Sequence, residues 1–142
     1  MTTLTFRPGR LLKLADFLDT VPPKKFDFGD IVREKKNDCG TVCCAIGWMP
    51  AAFPKQIKWA RGLLGPELDV VFKNYKGHKE ERPADFEVAM KFFGITMEEA
   101  EWLFLPNPLR RPEFLSELSF DALPQEVARN IRKFVAWKKE QA

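Results

Sequence analysis

All three cysteines of this chain, Cys39, Cys43 and Cys44, fall within the stretch Asn37-Asp38-Cys39-Gly40-Thr41-Val42-Cys43-Cys44-Ala45-Ile46-Gly47-Trp48-Met49. Thr41 is placed to cap a helix start, its hydroxyl accepting from the N–H of Cys43 or Cys44. Gly40 before it permits a sharp turn or a close approach to the backbone. A helix N-terminus favours the thiolate, so a reactive cysteine in that first turn is one chemistry the spacing allows. Against it, Asp38 disfavours a thiolate at Cys39, and His78 is the sole histidine available as a partner base. Ala45 stands where a phosphatase loop built on Cys39 would need an arginine. Cysteine is also a small apolar residue that packs well beside a tight turn, and packing is the favoured reading.

The same stretch suits an anion. A Gly-Thr step opening a helix presents backbone N–H groups and a hydroxyl to a phosphate or carboxylate. It lacks the Gly-Lys-Ser/Thr ending of a Walker loop, and it is not Gly-x-Gly-x-x-Gly. Trp48 is placed to flank a bound ring, although a core tryptophan is the simpler reading. Asp27, on the polar side of the Phe26/Phe28 alternation, would brace the Cys39–Thr41 turn if the two segments meet. The expected ligand-binding set is therefore Asp27, Cys39, Gly40, Thr41, Cys43, Cys44 and Trp48, with no residue assigned to catalysis. Three sulfurs and His78 would suffice in number for zinc, but the paired Cys-x-x-Cys knuckles are missing. Neither a metal nor a cofactor is expected.

A second charged feature lies near the C-terminus, where Arg129, Arg132 and Lys133 are joined by Lys138 and Lys139 and preceded by Arg110-Arg111. Such a face could track a phosphate backbone. Glu126 and Glu140 share the segment, and lysines near a helix end complement its dipole, so a solvated helix face is favoured over nucleic-acid binding.

The elements that would position these residues are mostly helical. Leu11, Leu14, Ala15 and Leu18 repeat at helical spacing within Arg10–Thr20, which Val21-Pro22-Pro23 ends. The helix begun at Thr41 is expected to run about two turns, weakened by Gly47 and stopped by Pro50. Gln56–Arg61 and Leu68–Lys73 read as the strands of a small hairpin, while Leu63–Phe72 reads equally well as holding a short helix. Asn74–Arg82 is a polar connector. Ala84–Phe93 is a helix with Phe86, Met90 and Phe93 inward and Gly94 at its end. Thr96-Met97-Glu98-Glu99 fits a capping box opening a helix through Leu105 that buries Ala100, Leu103 and Phe104. One more turn is expected at Phe114–Leu118, and a last helix starts near Pro124 with Val127, Ile131, Phe134 and Val135 on one face. The expected fold is a mainly α, single-domain bundle over residues 1–142, of five or six short helices with room for one small β-hairpin.

Composition agrees with a globular chain of one domain: 142 residues, 45% hydrophobic and 30% charged. Thirteen phenylalanines against one tyrosine suit a dry core. A net charge of +3 is too weak to imply nucleic acid by its sum. No apolar run reaches the roughly 18 residues of a membrane helix. The N-terminus lacks a signal peptide's pattern, and clustered cysteines odd in number argue against an extracellular disulfide framework. A cytoplasmic protein with reduced thiols is expected.

The order Phe26-Asp27-Phe28, then Cys39-Gly40-Thr41-x-Cys43-Cys44-x-x-Gly47-Trp48, then Phe92-Phe93-Gly94-Ile95-Thr96 with Glu99-Ala100 and Leu103-Phe104, resembles small uncharacterised proteins of bacteriophages and bacteria. Those share a Phe-Asp/Asn-x…Cys-Gly-Thr-x-x-Cys-x-x-Gly pattern, and the match spans about residues 10–135. The resemblance implies a phage-like setting and brings no mechanism with it. The expected function is a small intracellular binding module for a host protein or a small anionic or nucleotide ligand. The alternatives are a cysteine-dependent enzyme using Cys39–Cys44 and nucleic-acid binding through Arg129, Arg132 and Lys133.

Overall fold

In chain order the elements are α1 (Pro8–Leu18), α2 (Met49–Ala52), β1 (Ile57–Arg61), β2 (Leu68–Phe72), α3 (Phe86–Phe93), α4 (Met97–Phe104) and α5 (Pro124–Glu140). Short 3-10 turns occupy Pro23–Lys25 and Lys79–Glu81. This computed structural model describes residues 4–26, 44–62, 68–106, 110–119 and 121–141. Among them are five α-helices and one two-stranded antiparallel hairpin.

The most extensive helix pairing joins α1 to α5, at opposite ends of the sequence. Leu11, Leu14, Ala15 and Leu18 of α1 are buried on the face their spacing dictates. They share one cluster with Val127, Ile131, Phe134 and Val135 of α5. Burying each such side chain contributes about 1.5–3 kcal/mol, so this seam is the main apolar anchor of both helices. It also has polar stitching. Arg132 bonds Asp16 at 2.9 Å and Asp19 at 2.6 Å, and Lys133 donates to the Ser116 hydroxyl at 3.1 Å. The buried Asn130 exchanges two 2.9 Å bonds with the backbone of Ser116, which ties the irregular 111–119 segment to α5.

The helix starts depend on local chemistry. Pro8 and Pro124 each occupy a first turn, where the missing N–H is no loss. At α4 the capping box is complete: the Thr96 hydroxyl accepts from Glu99 N at 3.1 Å, and Glu99 Oε1 accepts from Thr96 N at 2.9 Å. At α5 only half of one forms, with Glu126 Oε1 accepting from Leu123 N at 2.8 Å; a leucine side chain has no oxygen for the other half. Gly94 ends α3 at φ +69°. A Cβ there would also collide with the Thr5 carbonyl, so glycine is required twice over.

Several expectations need correction. Pro50 does not stop a helix; it sits in the first turn of α2, and residues 45–48 before it form turns. A proline breaks a helix only beyond its first turn, and Pro50 stands within that opening turn. Leu68–Phe72 is a strand paired with β1, which removes the helical alternative for those residues. Phe114–Leu118 makes a turn without a helix, although Leu115 and Leu118 are buried. In α3 the buried face is Val88, Ala89, Phe92 and Phe93, while Phe86 and Met90 are only partly covered. No helix among the described residues is long and apolar enough to cross a membrane.

Candidate functional site

Of the ligand-binding set, Asp27, Cys39, Gly40, Thr41 and Cys43 lie outside the described residues. Cys44 and Trp48 lie within them, and both are buried in the main core. The Trp48 ring meets Phe17 of α1 at a centroid distance of 6.0 Å, and its indole N–H finds no acceptor among the described residues. Burial places Cys44 among the packing residues and away from reagents in solvent. His78 is exposed, in the connector after β2.

The C-terminal basic residues divide. Arg129 is exposed. Arg132 is engaged by two aspartates, and those hydrogen bonds, Asp19's first and Asp16's second, raise its pKa above the ordinary guanidinium value. Lys138 pairs with Glu99 at 2.5 Å, where the glutamate side chain is almost buried and the lysine side chain 26% exposed. The same ammonium lies 5.4 Å from the Phe6 ring centre and 5.8 Å from that of Phe134. Two of these cations, Arg132 and Lys138, are thus consumed in holding α5 to α1 and α4.

A different basic cluster is assembled by the hairpin. The register pairs Ile57 with Phe72, Lys58 with Val71 and Trp59 with Val70. Alternation turns Ile57 and Val70 to the core and puts Lys58 and Val71 on the other face. Val71 is nonetheless fully buried, though outside the main core, because the connector after β2 returns over this outer face. Between strand and connector lies a hollow of about 190 Å³ lined by Lys58, Val71, Phe72, Lys73, Tyr75, Gly77, Lys79 and Arg82.

Four basic residues line this small concavity and no acidic residue does, with the Lys73 ammonium toward the Pro54 end of β1 and the Arg82 guanidinium toward its Arg61 end. Among the described residues none of the four has a carboxylate partner. Arg82 Nη2 donates to the Arg61 carbonyl at 2.8 Å, and Lys73 Nζ reaches the Pro54 carbonyl at 3.4 Å. Glu80 and Glu81 follow Lys79 in the 3-10 turn and are exposed, outside the lining. Like charges gathered without counter-charge repel one another, and an incoming anion relieves that repulsion.

The local backbone holds this arrangement. The Tyr75 hydroxyl donates to the His78 carbonyl at 2.7 Å, folding the ring across the loop. Gly77 makes room for it, since a Cβ there would clash with the Tyr75 ring and hydroxyl. The connector is tied back to β2 by Asp85, which exchanges two bonds with Val70: its N–H donates to Val70 O at 2.9 Å and its Oδ1 accepts from Val70 N at 3.0 Å. Asp85 adopts φ +54° to do so. A non-glycine residue in that region costs about 1–3 kcal/mol, offset here by covering the outer edge of β2.

None of these lining residues belongs to the set expected from sequence. The available signal was the run Lys73-Asn74-Tyr75-Lys76-Gly77-His78-Lys79, basic and aromatic around a glycine. It reads as an ordinary polar connector until the hairpin brings Lys58 beside it. Among the described residues no three of His, Cys, Asp and Glu gather as a metal set. No protein-family model, curated protein or solved structure matches this chain.

Proposed function

We propose that this chain is a small binding module for an anionic, phosphate-bearing ligand, taken in the hollow between the hairpin and its connector. The observation that carries this reading is that Lys58, Lys73, Lys79 and Arg82 all line one concavity, with no carboxylate paired to them among the described residues. Hydrogen bonds to charged groups contribute about 1.5–3 kcal/mol each, so two or three made to a phosphate suffice for measurable affinity. The volume of about 190 Å³ suits a phosphate or diphosphate group better than a large organic ligand. The burial of Cys44 speaks against catalysis by that one thiol.

Isothermal titration of the protein with inorganic pyrophosphate tests this directly. Binding is expected at low ionic strength and should weaken as salt rises, because exposed charges are screened within about 10 Å at 0.1 M. A Lys58→Glu/Lys79→Glu double variant should lose at least about tenfold in affinity, the equivalent of one charged hydrogen bond. Its melting curve should remain close to that of the parent, since both lysines are exposed. Absence of pyrophosphate binding, or equal binding by the variant, would overturn the reading.

A further inference from the structure

The four basic residues of the hollow are spread along the hairpin. Lys73 reaches the Pro54 carbonyl ahead of β1, and Arg82 reaches the Arg61 carbonyl at the far end of the strand. From Ile57 to Arg61 a strand extends about 13 Å, at roughly 3.3 Å per residue. Lys58 stands on the outer face within that length, paired with Val71, and Lys79 joins from the connector. A single phosphate or pyrophosphate is much shorter than this span, so it meets some of these cations and leaves the rest unneutralised. A ligand that satisfies all four carries its negative charge along a line.

The charge pattern of the chain agrees. Residues 44–62 carry Lys55, Lys58 and Arg61 and no acidic residue, and residues 73–79 carry Lys73, Lys76 and Lys79 and again none. Asp69 stands opposite Ala60 on the same face and does not line the hollow. The carbonyl bonds leave donors to spare. A guanidinium has five N–H groups and an ammonium three, and Arg82 and Lys73 each give one to a carbonyl of the described residues.

A phosphodiester chain has the required form. It carries one charge per step of about 3.4 Å when stacked and longer when drawn out, so about 13 Å takes in roughly two to four successive phosphates. The hollow of about 190 Å³ has room for one of them between strand and connector. Tyr75 lines the same hollow, half-buried, with its ring held by the hydroxyl bond to the His78 carbonyl. A ring beside a track of cations suits unpaired bases, which stack on it regardless of sequence, whereas the bases of a duplex are already stacked on one another. We infer that the ligand of this site is a single-stranded nucleic acid, its backbone laid along the outer face of the β1–β2 hairpin from the Lys73 end to the Arg82 end. This rests on the proposed anion-binding role and names the kind of molecule that supplies the phosphate.

The test follows the fluorescence anisotropy of a labelled thymidine octanucleotide over a range of salt, beside isothermal titration with inorganic pyrophosphate. The octanucleotide should bind at least about tenfold tighter than pyrophosphate at the same salt. Its log K should fall against log salt with a slope of about 3, four contacts at roughly 0.7 each. Lys73→Gln and Arg82→Gln, at opposite ends of the track, should each reduce that slope by about 0.7, while pyrophosphate still binds through the remaining cations. Lys73 is exposed, so its variant tests the placement even where Arg82→Gln loosens the connector. Pyrophosphate binding with no gain for the octanucleotide overturns this inference and leaves the anion-binding role standing. A duplex of the same length that binds as tightly overturns the single-stranded assignment, and a slope unchanged in both variants overturns the placement along the hairpin. Failure of both probes to bind overturns both readings.

Discussion

Two basic regions of this molecule look alike in sequence and differ in what the fold does with them. On α5, Arg132 is held by Asp16 and Asp19, and Lys138 by Glu99 beneath two aromatic rings. Around the hairpin, Lys58, Lys73, Lys79 and Arg82 line a hollow, and the only partners bonded to them among the described residues are the backbone carbonyls met by Lys73 and Arg82. The first region spends its charge on cohesion. The second holds its charge near a concave surface, where an anion can still use it. Charge count alone does not distinguish a binding surface from a structural seam; the location of the counter-charge does.

Mutations can break this contrast, and the largest effect is expected at Glu99. Its carboxylate serves both the α4 capping box and the Lys138 ion pair. Glu99→Ala should therefore destabilise by about 2 kcal/mol or more, combining a lost cap with a lysine left only partly solvated. Chemical denaturation followed by circular dichroism gives the midpoint, and an unchanged value would mean that α5 does not depend on this pair.

Arg132→Ala should cost less, about 1 kcal/mol or below, because the guanidinium and both aspartates are substantially exposed. Raising the salt should shrink the difference between this variant and the parent. A destabilisation as large as that of Glu99→Ala would show that the α1–α5 seam depends on its polar stitching more than on its leucines.

The smallest effect on stability is expected at the hairpin. Lys58→Ala and Lys79→Ala should each change it by less than about 0.5 kcal/mol, as exposed substitutions away from buried features do. Gly77→Ala sharpens the same point, because the added methyl must displace the Tyr75 ring. The Tyr75–His78 bond should weaken and pyrophosphate binding should fall, with only a minor change in melting temperature. If any of these three unfolds the protein, the basic hollow is a structural feature like the α5 seam, and the contrast collapses.

Local physics was legible from the sequence wherever one segment decided its own state. The spacing of Leu11, Leu14 and Leu18, the Thr96–Glu99 capping box, the stop at Gly94 and the apolar face of α5 all follow from residue types a few positions apart. Pro50 misled because proline is permitted in a first turn and forbidden only further in, and the sequence does not number the turns. The cysteine stretch stands out in sequence through rarity of residue type. Of it, residues 44–49 are buried, Cys44 and Trp48 among them, and residues 37–43 fall outside the described residues.

What residue spacing alone determined is therefore the helices, their caps and the apolar faces that build the core. Tertiary structure decided which charges are neutralised. Arg132 meets Asp16 and Asp19 across more than a hundred residues of chain, and Lys58 joins Lys73, Lys79 and Arg82 only because β1 pairs with β2 and the connector doubles back. Periodicity records how a segment meets its surroundings, and it carries no information about which distant segment those surroundings will be. Electrostatic partnership depends on distance in space, so the unneutralised cations became recognisable only once the chain was folded.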